Sequence, residues 1–194
     1  MNERNDTNQE ANKVINKHVL WAMGAGLIPV PLLDIAAVTA IQMDMLKQLS
    51  AIYEVDYSAA QGKAFAVALT SSTFARVGAV VVRSMAKSIP AIGTVVGGVS
   101  MAVLSGASTY AVGKIAKEVF ESGGDLLNVD LESAKAAYKE TFERGKQFVS
   151  NLGQERKRAQ DVFQALERLN QLREKGVINE EDFEAQKQKL LARL

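Results

Sequence analysis

The sequence predicts an all-α protein: a helical bundle or hairpin core built around a glycine-rich apolar central helix, followed by a C-terminal helical hairpin. Only three prolines occur, Pro29, Pro31 and Pro90, and no sustained alternation of apolar and polar residues stands between turn signals, as a strand would need. Apolar residues recur instead at three- and four-residue steps, as in Ile35, Val38, Ile41, Met45, Leu49 and Ile52, the spacing that lines one side of a helix. With 194 residues, 47% of them hydrophobic, the chain can bury one core and a small appendage, and its composition is not that of a disordered protein.

In chain order, residues 1–10 read as a polar, flexible N-terminus whose last part, Thr7 to Glu10, has the form of a capping box. It opens a first helix that runs to about Met23, where Gly24 and Gly26 stop it. Val14, Ile15, His18, Val19 and Trp21 give that helix an apolar side. Trp21 suits a core or a lipid headgroup boundary, the core being the plainer reading. Pro31 fits the first position of a second helix, because its missing N–H is not needed there. That helix extends to about Tyr53, with Asp44, Lys47 and Gln48 opposite its apolar stripe. Ser58 and Gln61 form a second capping box, for a third helix through about Lys87 with Arg76 and Arg83 on one face.

The central helix is predicted to start at Ser88, with Pro90 in its first turn. From Ser88 to Gly113 it carries no charge, and about 26 residues at about 1.5 Å each would reach about 39 Å, beyond a hydrocarbon core of about 30 Å. Length therefore permits a membrane span. Thr94, Ser100, Ser105, Ser108 and Thr109 dilute the apolarity, and a helix buried on all sides of a bundle has the same pattern. Gly98, Ala102 and Gly106 stand four apart, as do Gly93 and Gly97, a ridge of small residues that lets another backbone approach closely. Each such glycine costs about 1 kcal/mol of helix propensity, which tight helix pairing would offset. Gly123 and Gly124 supply the left-handed stop.

From Asp125 the composition changes, with 26 charged residues among the last 70 against 19 in the first 124. This divides the chain into an apolar helical core over residues 11–124, a charged amphipathic linker helix over 125–153 capped by Asp130, and a helical hairpin over 154–194, with a hinge near Gly153. In the hairpin, Gly176 ends one helix and Asn179 caps the next. Phe163, Leu166, Leu169, Leu172, Ile178, Phe183, Leu190 and Leu191 supply apolar stripes too small to be stable alone, so another surface must cover them.

The residues that chemistry usually requires are nearly absent. There is no cysteine and His18 is the single histidine, which removes thiolate catalysis, disulfides and multi-Cys/His metal sites. Neither a metal nor a cofactor is expected, and no residue is assigned as catalytic. The net charge of +1 provides no global field for nucleic acid, and the basic run Arg156 to Arg158 reads as a solvated helix segment. Asp34 and Asp44 lie in an apolar helix, where a carboxylate must pair or face water. Arg76 and Arg83 are the partners expected for buried ion pairs. MNERNDTNQE lacks the basic start and apolar core of a secretory signal.

Two family resemblances rest on particular residues. Ile28-Pro-Val-Pro31, then Leu33-Asp34 and Ile41-Gln42 with Met45, ahead of the glycine-rich helix, resemble the bacterial domain-of-unknown-function 697 family, which includes the YcjF-type inner-membrane proteins. The resemblance covers about Gly24 to Gly124 and implies a membrane-associated domain without an established activity, commonly joined to a GTPase domain. No phosphate-binding loop accompanies it here: Gly62-Lys63 is followed by Ala64 and Gly113-Lys114 by Ile115. Leu166, Leu169 and Leu172, then Gly176, Ile178, Glu181, Phe183, Lys187 and Leu190-Leu191, resemble the short C-terminal (SHOCT) module. That resemblance implies oligomerisation or attachment to a partner. Together these readings predict a non-enzymatic, cytoplasmic protein at the inner membrane, homo-oligomeric and acting with a GTPase, the alternative being a soluble self-assembling scaffold.

Overall fold

A computed structural model describes residues 2–25, 31–71, 95–96 and 99–192. The fold is all-α. Helices α1 (Asn2–Ala25) and α2 (Pro31–Ile52) are followed by α3, helical over residues 59–71, and then by α4 (Met101–Glu121), α5 (Leu131–Glu174) and α6 (Glu180–Leu191). Ahead of α4, β1 (Val95–Val96) and β2 (Val99–Ser100) form a minimal antiparallel ladder, Val95 opposite Ser100 and Val96 opposite Val99. The chain divides into two compact units, Met1–Val149 and Ser150–Leu194, with α5 contributing residues to both.

In the first unit, α1 runs antiparallel to α2 and α4, which run parallel to each other. Asn12 meets Lys114 and His18 meets Asp44, whereas Gln42 meets Ser108 and Tyr53 meets Glu121. The core is made by Ile15 and Val19 of α1, Met45 and Leu49 of α2, Phe65 and Leu69 of α3, and Val112 and Ile115 of α4. Each such aliphatic or aromatic side chain contributes about 1.5–3 kcal/mol on full burial. Twelve of the 21 residues of α4 are buried, many of them Ala, Gly, Ser or Thr, and those small side chains let neighbouring helices close in around it. From Ser105 to Lys117 the central helix is therefore largely covered by protein. No helix among the described residues is long and apolar enough to cross a membrane.

Local signals set several boundaries. Pro31 stands first in α2 and Asp130 caps α5, its carboxylate accepting from the N–H groups of Glu132 and Ser133. Gly123, at φ 76°, closes α4: its N–H donates to the Phe120 carbonyl and that of Gly124 to the Val119 carbonyl. Gly176, at φ 68°, ends α5 in the same way, and the Asn179 side chain accepts from the N–H of Asp182 at the start of α6.

Three expected boundaries are corrected. The first helix starts at Asn2 rather than at Thr7, because residues 2–6 contain neither Gly nor Pro to interrupt it. The central helix starts at Met101 rather than Ser88, and the β-branched Val95, Val96 and Val99 are paired as strands. Valines beside Gly97 and Gly98 favour extended backbone over a helix that would lose about 1 kcal/mol at each glycine. Finally, α5 passes through Gly153 without a break. The Gln, Glu, Arg and Lys that follow it are strong helix formers and outweigh one glycine.

Candidate functional site

No catalytic constellation converges in the described residues. No group of three or more His, Asp or Glu side chains among them is placed to hold a metal. Three arrangements do stand out: a buried polar seam in the first unit, close helix contacts at glycine, and the partly exposed hairpin.

The seam begins with His18, which is fully buried although its helix is otherwise polar near the N-terminus. Its Nε2 lies 2.9 Å from an Asp44 carboxylate oxygen and its Nδ1 lies 2.7 Å from the Val14 carbonyl. Gln48 donates to the same Asp44 oxygen at 2.7 Å. The hydrogen bond from His18 holds the Asp44 carboxyl below its ordinary range, against a smaller opposing effect of burial. One layer along, buried Gln42 donates to Ser108 and Thr109 of α4, and Tyr138 of α5 donates to Ser108 at 3.1 Å. Near the far end of α4, Lys117 meets Glu121 at 2.7 Å and Tyr53 donates to the same carboxylate. Burial, reinforced by Glu121, pushes the Tyr53 phenol above its ordinary range. For Glu121, burial acts upward but the hydrogen bonds from Lys117 and Tyr53 prevail and lower it. Burial and the neighbouring Lys117 lower the Lys114 ammonium, whose hydrogen-bond acceptor is the neutral amide of Asn12 at 2.7 Å. These polar groups satisfy one another across helices, as buried polar groups must.

Of the four residues expected in buried ion pairs, two lie in α2. Asp44 has a partner in His18, and its side chain is 51% exposed. Asp34 lies in α2; Arg76 and Arg83 lie outside the described residues. His18 and Gln48 were missed as partners. The signal for His18 was its place in the buried series Ala11, Ile15, His18 and Ala22, where a polar ring needs a partner on the facing helix.

Of the predicted glycine ridge, Gly93, Gly97 and Gly98 lie outside the described residues, while Ala102 and Gly106 fall in the first two turns of α4. A Cβ on Gly106 would sit 2.8 Å from Met23 Cγ and 3.0 Å from Val149, so two helices approach closely there. Gly113, seven residues on and outside the predicted ridge, faces Met45 and Ile15 just as tightly. Gly145 of α5, also missed, lies so near α4 that a Cβ would be 3.0 Å from the Ala107 carbonyl oxygen.

In the second unit, Phe183 is buried against Arg173, whose guanidinium lies 4.3 Å from the ring centroid and also pairs with Glu180. Leu166, Leu169, Ile178 and Leu190 are half-buried, whereas Phe163, Leu172 and Leu191 remain exposed, Phe163 at 63%. Leu169, Leu172 and Leu190 line a shallow groove rimmed by Asp161, Arg168 and Gln186. Apolar surface is thus left over after the hairpin has folded on itself.

Comparison with known proteins agrees with this division. Residues 3–147 match the family described as domain of unknown function (DUF697), and residues 164–191 match the short C-terminal domain (SHOCT). The chain is similar to magnetosome membrane protein 22 of Magnetospirillum gryphiswaldense, with 39% identity over 137 residues that cover 70% of each protein. No solved structure matches. A bundle core over residues 3–147 with a C-terminal hairpin behind it places the chain in the domain-of-unknown-function 697 family, with an appended short C-terminal domain.

Proposed function

We propose that the protein is a non-enzymatic, membrane-associated accessory or membrane-remodelling protein that self-assembles and acts together with a GTPase. The observation that carries this reading is the similarity to a protein named for the magnetosome membrane, across 70% of both chains. The described polar groups support the non-enzymatic part: His18 pairs with Asp44 and Gln42 with Ser108, each joining two helices as a packing contact. Self-assembly is supported by the apolar side chains that the hairpin leaves exposed. The GTPase partner rests on the family resemblance together with the lack of a phosphate-binding loop in this sequence. The proposed location is the cytoplasmic side of the inner membrane.

The second reading is a soluble self-assembling helical scaffold, and the enclosure of α4 favours it, since twelve of that helix's residues are buried within the protein. Fractionation of expressing cells at low salt, without detergent, separates the two. Protein recovered with membranes supports the first reading, and protein found wholly in the soluble fraction without detergent sinks it. Nucleotide hydrolysis by the purified chain would contradict the non-enzymatic assignment.

A further inference from the structure

Residues four apart on a helix share a face, and α1 places Asp6, Glu10, Lys13, Lys17 and Trp21 within one exposed strip. Along that strip the character changes from acidic near Asn2, through two lysines, to an indole one turn before the helix ends at Ala25. Trp21 is 46% exposed, which overturns its reading as a core residue. Its position is nonetheless defined: one side meets the His18 ring edge to face at 4.9 Å, and the Lys17 ammonium stands 4.5 Å from the indole centroid. His18 is itself anchored to Asp44 and the Val14 carbonyl. The neighbouring carboxylate, Asp44, accepts from Gln48 and is paired with His18, and its charge offsets part of that of Lys17, so Lys13 and Lys17 together outnumber it at this end of the strip.

A half-exposed indole flanked by ammonium groups matches a lipid headgroup layer, where Trp prefers the boundary and lysines meet anionic phosphate. We infer that Lys13, Lys17 and Trp21 form the surface through which the protein contacts anionic lipid headgroups. The inference rests on the membrane-associated reading above and adds the lipid chemistry and the orientation. The C-terminal half of α1 faces the bilayer, and the end carrying Asp6 and Glu10, repelled by the same charge, points away from it. Charge complementarity selects anionic over neutral lipid, at about fivefold in affinity per lysine near the surface.

Trp21 is the single tryptophan, so tryptophan emission from the full-length chain reports this position alone. The experiment incubates the protein with vesicles of phosphatidylcholine, with and without phosphatidylglycerol, and reads co-sedimentation and emission together. The expected result is co-sedimentation with the phosphatidylglycerol vesicles, a blue shift of emission, and quenching by brominated acyl chains. Lys13→Gln and Lys17→Gln should each weaken binding about fivefold, with helicity by circular dichroism unchanged. Co-sedimentation without any change in emission overturns the inference while leaving membrane association standing. Equal binding to neutral vesicles overturns the anionic assignment. No co-sedimentation with either vesicle defeats this inference and the membrane reading together.

Discussion

His18 Nε2 and a carboxylate oxygen of Asp44 lie 2.9 Å apart, joining the middle of α1 to the middle of α2 with the histidine fully buried and the aspartate half-exposed. Asp44→Ala removes the acceptor from a buried N–H and should cost about 1–3 kcal/mol by chemical denaturation. Asp44→Asn retains an acceptor oxygen and should cost less. The sign of the pH effect follows from the Asp44 carboxyl being held below its ordinary value of 3.8. Its contribution is complete above that value and is lost as pH falls through the lower folded value. As pH falls below 3.8, the unfolding free energy should thus decline less for Asp44→Asn than for the native chain, and parallel declines with pH would show that the pair carries no pH-dependent stability.

Gly106 and Gly145 mark close helix approach, and adding a methyl group tests it. Gly106→Ala would push against Met23 and Val149, and Gly145→Ala against the Ala107 backbone. Each should destabilise by about 1–3 kcal/mol through overpacking, less about 1 kcal/mol regained in helix propensity. The Gly145 change should be the worse, because the carbonyl and Cα of a helix yield less than the side chains of Met23 and Val149. Gly24→Ala meets nothing within 4 Å and is the control, neutral or slightly stabilising. Equal melting temperatures for all three would dismiss the close contacts.

Gln42 and Tyr138 both bond to Ser108, from α2 and α5 respectively. Groups that share a partner couple, so a double-mutant cycle of Gln42→Ala and Tyr138→Phe should return a coupling of about 0.5–3 kcal/mol. Strict additivity would mean that the two bonds are energetically independent.

What was legible in the sequence was local. Pro31, Asp130, Gly123, Gly176 and Asn179 act on backbone groups within a few residues, and each stands at the boundary expected of it. The apolar stripe of α2 was legible for the same reason, Val38, Met45 and Leu49 all being buried. What was not legible depends on which faces meet. Asp44 was marked by its apolar surroundings, but its partner lies 26 residues back in α1, and spacing within one helix does not reveal a neighbour on another. Gly145 sits in a charged helix, and nothing in its spacing marks a close contact until α4 is laid against it. The start of the central helix was not legible from charge, since an uncharged run does not fix helical backbone and the β-branched Val95, Val96 and Val99 pair as strands.

The hairpin prediction concerns Phe163 and Leu172, both exposed on the second unit. Phe163→Asp and Leu172→Asp leave buried Phe183 in place and should lower the mass of the full-length protein measured by light scattering. An unchanged assembly would refute self-association through the hairpin and leave recruitment of a different partner as its role.

The central claim is association with membrane, and flotation of the purified full-length chain with liposomes in a density gradient, without detergent, tests it most directly. The account predicts that the protein rises with vesicles containing anionic lipid and that added salt reduces the floated fraction, since surface charge contacts are screened. Protein that stays at the bottom of the gradient at every lipid composition and salt concentration would contradict it.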